Sequence, residues 1–149
     1  MRRNVTKIRR ERKPKNIQKI KDQRHLYDLL SNLWSEQTCA PRMRKDWNKN
    51  NKTLGQCSIT AFLVQDIFGG EVYGVPLGDG NYHCFNKVGD VVFDLTSEQF
   101  CDTKLDYQNV VLQSRDVHFA KEEKYQRYLY LKEQLKKSLN WQRLNKVFW

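Results

Sequence analysis

The segment from Gly55 to Gly70 constrains the fold of this chain more strongly than any other. Its interior is mostly apolar and suits a helix, and the closing Gly69-Gly70 pair is typical of a helix C-terminus. The pattern predicts a buried helix that begins at Cys57. Because the first turn of a helix has unpaired N–H groups and a partial positive charge, it favours a thiolate over a thiol. The sequence therefore predicts an activated nucleophile at Cys57, and the alternative is a cysteine that only packs in the core.

Two short strand patterns follow this helix, one with a histidine and one with an aspartate. Residues 81–87 and 91–95 have compositions typical of strands and flank a turn, which predicts a hairpin. A two-residue turn at Gly89-Asp90 makes His83 and Asp94 diagonal neighbours, whereas a turn centred one residue earlier places them directly opposite each other. Both registers put the two side chains on one face of the sheet, since successive side chains alternate.

A cysteine at a helix start, a histidine and an aspartate form the set that thiol catalysis requires. We expect Cys57 to be the nucleophile, His83 the general base and then acid, and Asp94 the residue that orients the imidazole. The oxyanion needs hydrogen-bond donors, for which the Cys57 backbone N–H, Gln56 and Asn81 are the candidates. Taken singly, the histidine and the aspartate are also explained as structural residues of a strand and a turn.

The basic charge of the chain is concentrated at its N-terminus. With eleven Lys or Arg residues and two acidic ones, residues 1–24 account for +9 of the net charge of +10. We expect a mobile arm over residues 1–24, with non-specific contact to nucleic acid or another acidic surface as a second interpretation. The whole chain has 149 residues, and the part outside this arm suits one domain over residues 25–149.

The cysteines and the hydropathy pattern bear on the compartment. No run approaches the length of a membrane span and no secretory signal is evident, so we expect a cytoplasmic protein. The four cysteines lack the close spacing of metal ligands, so we expect neither a metal nor another cofactor. In a reducing compartment the thiols stay free. We expect Cys39, Cys84 and Cys101 to be buried packing residues.

Helical spacing of apolar residues predicts an amphipathic helix from Asn16 to about Trp34 and another over residues 119–139. Residues 71–75 and 107–112 are expected to be strands, and Thr96 or Ser97 to cap a short helical turn. Two tryptophans, Trp34 and Trp47, are candidates for lining a substrate cleft, although burial in the core explains them equally well.

The assembled motifs resemble those of the small bacterial YunG-type proteins, whose appearance is papain-like or transglutaminase-like. The resemblance covers about residues 30–130 and includes Trp34, Thr38-Cys39-Ala40-Pro41, Trp47, Gly55-Gln56-Cys57, Phe68-Gly69-Gly70, His83 with Asn86, and Asp94-Leu95-Thr96. It implies an α+β fold, in which a helix that carries the nucleophile packs on a small antiparallel sheet, and metal-free thiol acyl chemistry. Family members tend to have Tyr and Trp where this chain has Cys84 and Phe85, which leaves the substrate open.

Three functions follow as hypotheses. The first is a cysteine-dependent acyl hydrolase or transferase that acts on an amide, isopeptide or thioester of a protein, peptide or other amide substrate. The second is a catalytically inactive module of the same fold that binds a small metabolite, a peptide or nucleic acid. The third is a protein partner that uses the aromatic residues 140–149 as its contact surface.

Overall fold

The computed structural model describes the backbone of residues 20–148 and the side chains of residues 20–140. Residues 20–148 contain four α-helices, α1 (Gln23–Leu30), α2 (Cys57–Phe68), α3 (Arg115–Phe119) and α4 (Glu122–Phe148), and four strands, β1 (Glu71–Pro76), β2 (Tyr82–Val88), β3 (Val91–Phe93) and β4 (Val111–Leu112). Short 3-10 helices span Pro41–Asp46 and Ser97–Phe100. None of the helices in residues 20–148 combines the length and the apolar character that crossing a bilayer needs.

The strands form one antiparallel sheet in the order β3-β2-β1-β4, so the predicted α+β class is confirmed. Val88 pairs with Val91, which makes Gly89-Asp90 a two-residue turn. Of the two predicted registers, this is the one that makes His83 and Asp94 diagonal neighbours on one face. The strand predicted over residues 107–112 is present only as β4, because residues 107–109 turn instead of pairing.

Helix α2 begins at Cys57 and ends at Phe68, as the sequence predicts. Gly69 has φ 78°, a left-handed conformation that favours glycine, and its N–H donates to Gln65 O. The helix is buried from Ile59 to Val64. The buried Asn86 of β2 donates from Nδ2 to Ala61 O at 2.7 Å, which joins the helix to the sheet and thereby sets the height of Cys57 over β2.

The N-terminal helix differs from the prediction at both ends. It begins at Gln23 because Asp22 caps it, with Oδ1 accepting from His25 N at 2.9 Å, and it ends at Leu30. Residues 20–22, predicted to be helical, are not. Residues 16–19 of that prediction and residues 1–19 of the basic arm lie outside the described residues, as do the side chains of residues 141–149.

The core lies between the sheet and helices α1, α2 and α4. Its buried residues include Leu26, Leu30, Trp34, Ile59, Phe62, Val64, Val72, Cys84, Tyr128, Leu131 and Leu135. The helix predicted over residues 119–139 is present as α4 but begins three residues later, at Glu122, because the chain turns after α3 ends at Phe119.

Two smaller predictions are wrong. Cys39 is buried as expected, but Cys101 is exposed because it lies beyond the 3-10 helix Ser97–Phe100, at φ 55°. Thr96 occupies the position before that helix, and neither its side chain nor that of Ser97 makes a capping hydrogen bond.

Candidate active site

Cys57 is half-buried at the first position of α2. The preceding loop is held tightly, because Gly55 has φ +71° and a Cβ at that position would lie 2.5 Å from Cys39 Sγ and 2.9 Å from Ala40 N. The Cys57 sulfur lies 3.9 Å from Tyr82 O, at the start of β2. The thiol therefore lies at the junction of the helix N-terminus and the strand that carries His83.

His83 and Asp94 form a buried pair next to Cys57. His83 Nε2 lies 2.9 and 2.8 Å from the two Asp94 oxygens, and the side chains are 1% and 6% exposed. Tyr107 donates from its hydroxyl to Asp94 Oδ2 at 2.6 Å, and Thr96 N donates to Oδ1 at 3.3 Å. Phe100 packs edge-on against the imidazole, with ring centroids 4.7 Å apart. The carboxylate is therefore held from several sides and fixes Nε2 as the protonated nitrogen.

This environment favours the charged imidazolium. Burial lowers the pKa of His83, but the hydrogen bond to Asp94 and the interaction with Cys57 outweigh it and raise the pKa to about 9. The other ring nitrogen, Nδ1, is buried without a hydrogen bond of standard geometry. Catalytic hydrogen bonds are often loose in the absence of substrate. Nδ1 is therefore the nitrogen available to exchange a proton with the cavity.

The pKa of Cys57 lies well below that of an ordinary thiol. The first cause is a hydrogen bond from the Cys84 side chain, burial opposes it, and the nearby His83 adds a hydrogen bond and a positive charge. The pKa of Cys84 is raised in turn, because its thiol donates to Cys57 and is buried. We assign the thiolate to Cys57, since it lies at the helix N-terminus and next to the imidazolium.

Cys84 is buried in the core, as predicted, and it also borders the cavity. Its side chain does point away from the face of His83, and it belongs to the core. That opposite face is the one covered by α2, and Cys84 lines the same cavity as Cys57 at the start of the helix. The alternation of side chains along β2 correctly predicts the face on which Cys84 lies. Only the packing of α2 on the sheet shows that Cys57 lies at that face as well.

A second polar cluster, which the sequence did not reveal, lies in the same cavity. Lys124 Nζ lies 2.8 Å from His118 Nδ1, and His118 Nε2 lies 2.8 Å from Gln113 Oε1. Burial and the charge of Lys124 lower the pKa of His118 to about 4, so its imidazole is neutral. The only sequence signal was that His118 is one of three histidines. Nothing in its spacing places it near Cys57, because that depends on how α3 and α4 pack.

The cavity in front of Cys57 has a volume of about 650 Å³. Its wall includes His83, Cys84, Asn81, Phe100, His118 and Lys124. Asn81, a candidate oxyanion donor, therefore borders the cavity, whereas Gln56 does not. Gln56 is fully buried and donates from Nε2 to Ser35 O at 3.1 Å, so its amide nitrogen is engaged in the interior.

The two tryptophans proposed for the cleft do not line this cavity. Trp34 is 4% exposed in the core and donates from Nε1 to Thr60 Oγ1 at 3.0 Å. Trp47 donates from Nε1 to Lys52 O at 2.9 Å and closes the connecting loop. Both indoles thus make hydrogen bonds within the fold, which favours a structural role for the two tryptophans over a role in lining a substrate cleft. Within the described residues, no group of three or more His, Cys, Asp or Glu side chains could hold a metal ion.

The fold and the site define an α+β protein in which a cysteine at a helix start lies beside a buried histidine–aspartate pair. The model of the family described as YunG protein matches residues 22–140, and the chain belongs to this family. It is similar to the "Uncharacterized protein YunG" of Bacillus subtilis (strain 168), with 32% identity over 118 residues, which are 78% of this chain and 93% of the relative. None of the solved structures matches the chain.

Proposed function

We propose that this protein is a cysteine-dependent acyl hydrolase or transferase of papain-like or transglutaminase-like type. The observation that carries the proposal is the position of Cys57 at the start of α2, in one cavity with His83, whose Nε2 is held by Asp94 at 2.8 Å. The lowered pKa of Cys57 and the raised pKa of His83 support it. A thiolate and imidazolium that are stable together at neutral pH supply both the nucleophile and the proton that acyl transfer needs.

The reaction begins with the Cys57 thiolate and a substrate carbonyl. The sulfur forms a bond to the carbonyl carbon, and the carbonyl electron pair moves to oxygen. His83 Nδ1 gives its proton to the leaving amine or thiol as the carbonyl re-forms, which leaves a thioester on Cys57. Water or an amine then attacks this thioester, His83 takes its proton, and the thiolate leaves.

The remaining groups have supporting roles. Asp94 keeps Nε2 protonated and the ring oriented, and Tyr107 helps to fix the carboxylate. For the oxyanion, the backbone N–H of Cys57 at the helix start and the side chain of Asn81 at the cavity wall are the donors that we propose. The engaged amide of Gln56 makes it the weaker candidate.

The pH dependence of iodoacetamide alkylation, resolved by cysteine with peptide mass spectrometry, tests this function. Cys101 is exposed and serves as the reference thiol in the same molecule. We expect Cys57 to react well below pH 8.5, the region of an ordinary thiol, and His83→Ala to lower its rate at pH 6.5 by about tenfold or more. His25→Ala, which removes a histidine outside the cavity, should leave the rate unchanged. A Cys57 that reacts no faster than Cys101 at pH 6.5 contradicts the proposal.

The size of the cavity favours a second candidate, a non-catalytic binding module, because about 650 Å³ lies within the range of small-ligand sites. In that case, Cys57→Ser leaves ligand binding and the biological function intact. The acyl-transfer proposal requires the opposite result.

A further inference from the structure

Lys124 is a cation in the wall of the cavity whose side-chain hydrogen-bond partner is uncharged. It is half-buried, and its Nζ lies 2.8 Å from the neutral His118 imidazole, which Gln113 holds from the other side. Among the ion pairs of the described residues, none involves Lys124. The ammonium group is therefore oriented by an uncharged acceptor, and the negative charge that acts on it comes from the Cys57–Cys84 thiol pair and not from a carboxylate.

Neighbouring cations add positive charge to the cavity wall. Arg127 also lines the cavity, but it is paired with Glu123 and donates to Thr38 O. The exposed Arg42 and Lys121 line the same cavity and have no carboxylate within salt-bridge distance in the described part of the chain. The wall next to Cys57 thus carries more positive than negative charge.

The position of Lys124 in its helix is unfavourable in itself. It lies in the first turn of α4, where the partial positive charge of the helix N-terminus repels a cation. Partial burial removes water from the ammonium group, which adds a further cost. Residues that break local preferences without internal compensation are concentrated at functional sites. A small anion in the cavity would compensate both costs.

We propose that the acyl substrate carries a carboxylate group and that Lys124 binds this group while Cys57 attacks the carbonyl. Arg42 and Lys121, at the exposed part of the wall, attract the anion to the cavity. This inference rests on the proposed function for its attacking step, whereas the anion site itself requires only the cavity and its charges.

Two alkylating reagents of the same size test the inference, because iodoacetate carries a carboxylate and iodoacetamide does not. We expect the rate ratio of iodoacetate to iodoacetamide at Cys57 to exceed the ratio at the reference thiol Cys101. Lys124→Met keeps the length of the side chain and removes the charge, and it should lower the Cys57 ratio by about tenfold, or about 1.4 kcal/mol. Lys136→Met is the matched control, since Lys136 is exposed on the same helix and outside the cavity.

Succinate binding provides a readout that does not depend on thiol reactivity. We expect succinate to raise the Tm of the wild type and of Lys136→Met in a saturable manner, but not that of Lys124→Met. If Cys57 is as slow as Cys101 with both reagents, the proposed function fails, and the succinate result alone decides the anion site. Equal succinate shifts in all three proteins, or equal reagent ratios at a reactive Cys57, overturn the inference.

Discussion

Replacement of Asp94 by Asn tests the electrostatics of the site most directly. Asp94 makes the largest favourable contribution to the charged form of His83, whose pKa is raised from 6.5 to about 9. Asparagine retains the shape but not the charge. A hydrogen bond to a charged group contributes about 1.5–3 kcal/mol, against about 0.5–1.5 kcal/mol for a neutral one, so the change removes about 1.4 kcal/mol. This difference corresponds to about one pKa unit.

The sign of the effect follows from the charge that is lost. An imidazolium is present below its pKa, so a lower pKa means that the proton leaves at lower pH. At pH 8, a His83 with a pKa of about 9 is about nine-tenths protonated, and lowering the pKa by about one unit leaves about half. We therefore expect Asp94→Asn to narrow the pH range in which the thiolate and imidazolium coexist, by moving its upper limit downward.

Titration of the histidine side chains by NMR measures this pKa. The signals of His83 are assigned by their absence in His83→Ala, and the titration is repeated in Asp94→Asn. Asp90→Asn is the matched control, because Asp90 is an exposed aspartate in the turn of the same hairpin. A His83 pKa that stays near 9 in Asp94→Asn, with the fold intact, would refute the argument that the carboxylate holds the proton.

Two further predictions concern the neighbours of the site. Cys84→Ala removes the group that most lowers the pKa of Cys57. The pH at which the rate of iodoacetamide alkylation of Cys57 increases should therefore be higher than in the wild type. An unchanged pH profile would contradict this role of Cys84. Arg115→Met should lower the free energy of unfolding, measured in urea, by about 1–3 kcal/mol. The reason is that the guanidinium donates to Phe62 O at 3.0 Å and to Asp66 Oδ1 at 2.7 Å. A change below about 0.5 kcal/mol would show that water replaces these hydrogen bonds.

Local sequence patterns predict those residues of the site that lie on a helix or at a strand of the hairpin. The cysteine helix is specified by its apolar interior and its terminal glycines. The hairpin left two registers open, and both kept His83 and Asp94 on one face because side chains alternate along a strand. The Gly89-Asp90 turn that the structure adopts makes them diagonal neighbours, and the short distances from Nε2 to the carboxylate follow from that register.

Local patterns do not predict the direction of a side chain that depends on packing between segments distant in sequence. Amphipathic spacing suggested that the N-terminal helix continued to Trp34, but a tight turn after Leu30 directs the indole into the core. Likewise, Trp47 and Gln56 are near the cysteine in the sequence, yet their side chains donate to Lys52 O and Ser35 O, and neither lines the cavity. Sequence proximity to a nucleophile does not indicate which way a side chain points.

The family of this protein, the helix that begins at Cys57 and the hairpin that brings His83 and Asp94 to one face are all readable from the amino-acid sequence. These features depend on periodicity and on turn residues within a short stretch of chain. That Cys84 and Lys124 line the same cavity as Cys57 depends on tertiary packing. These residues are far apart in sequence, and they come together because α2 packs on the sheet and α4 packs on α2.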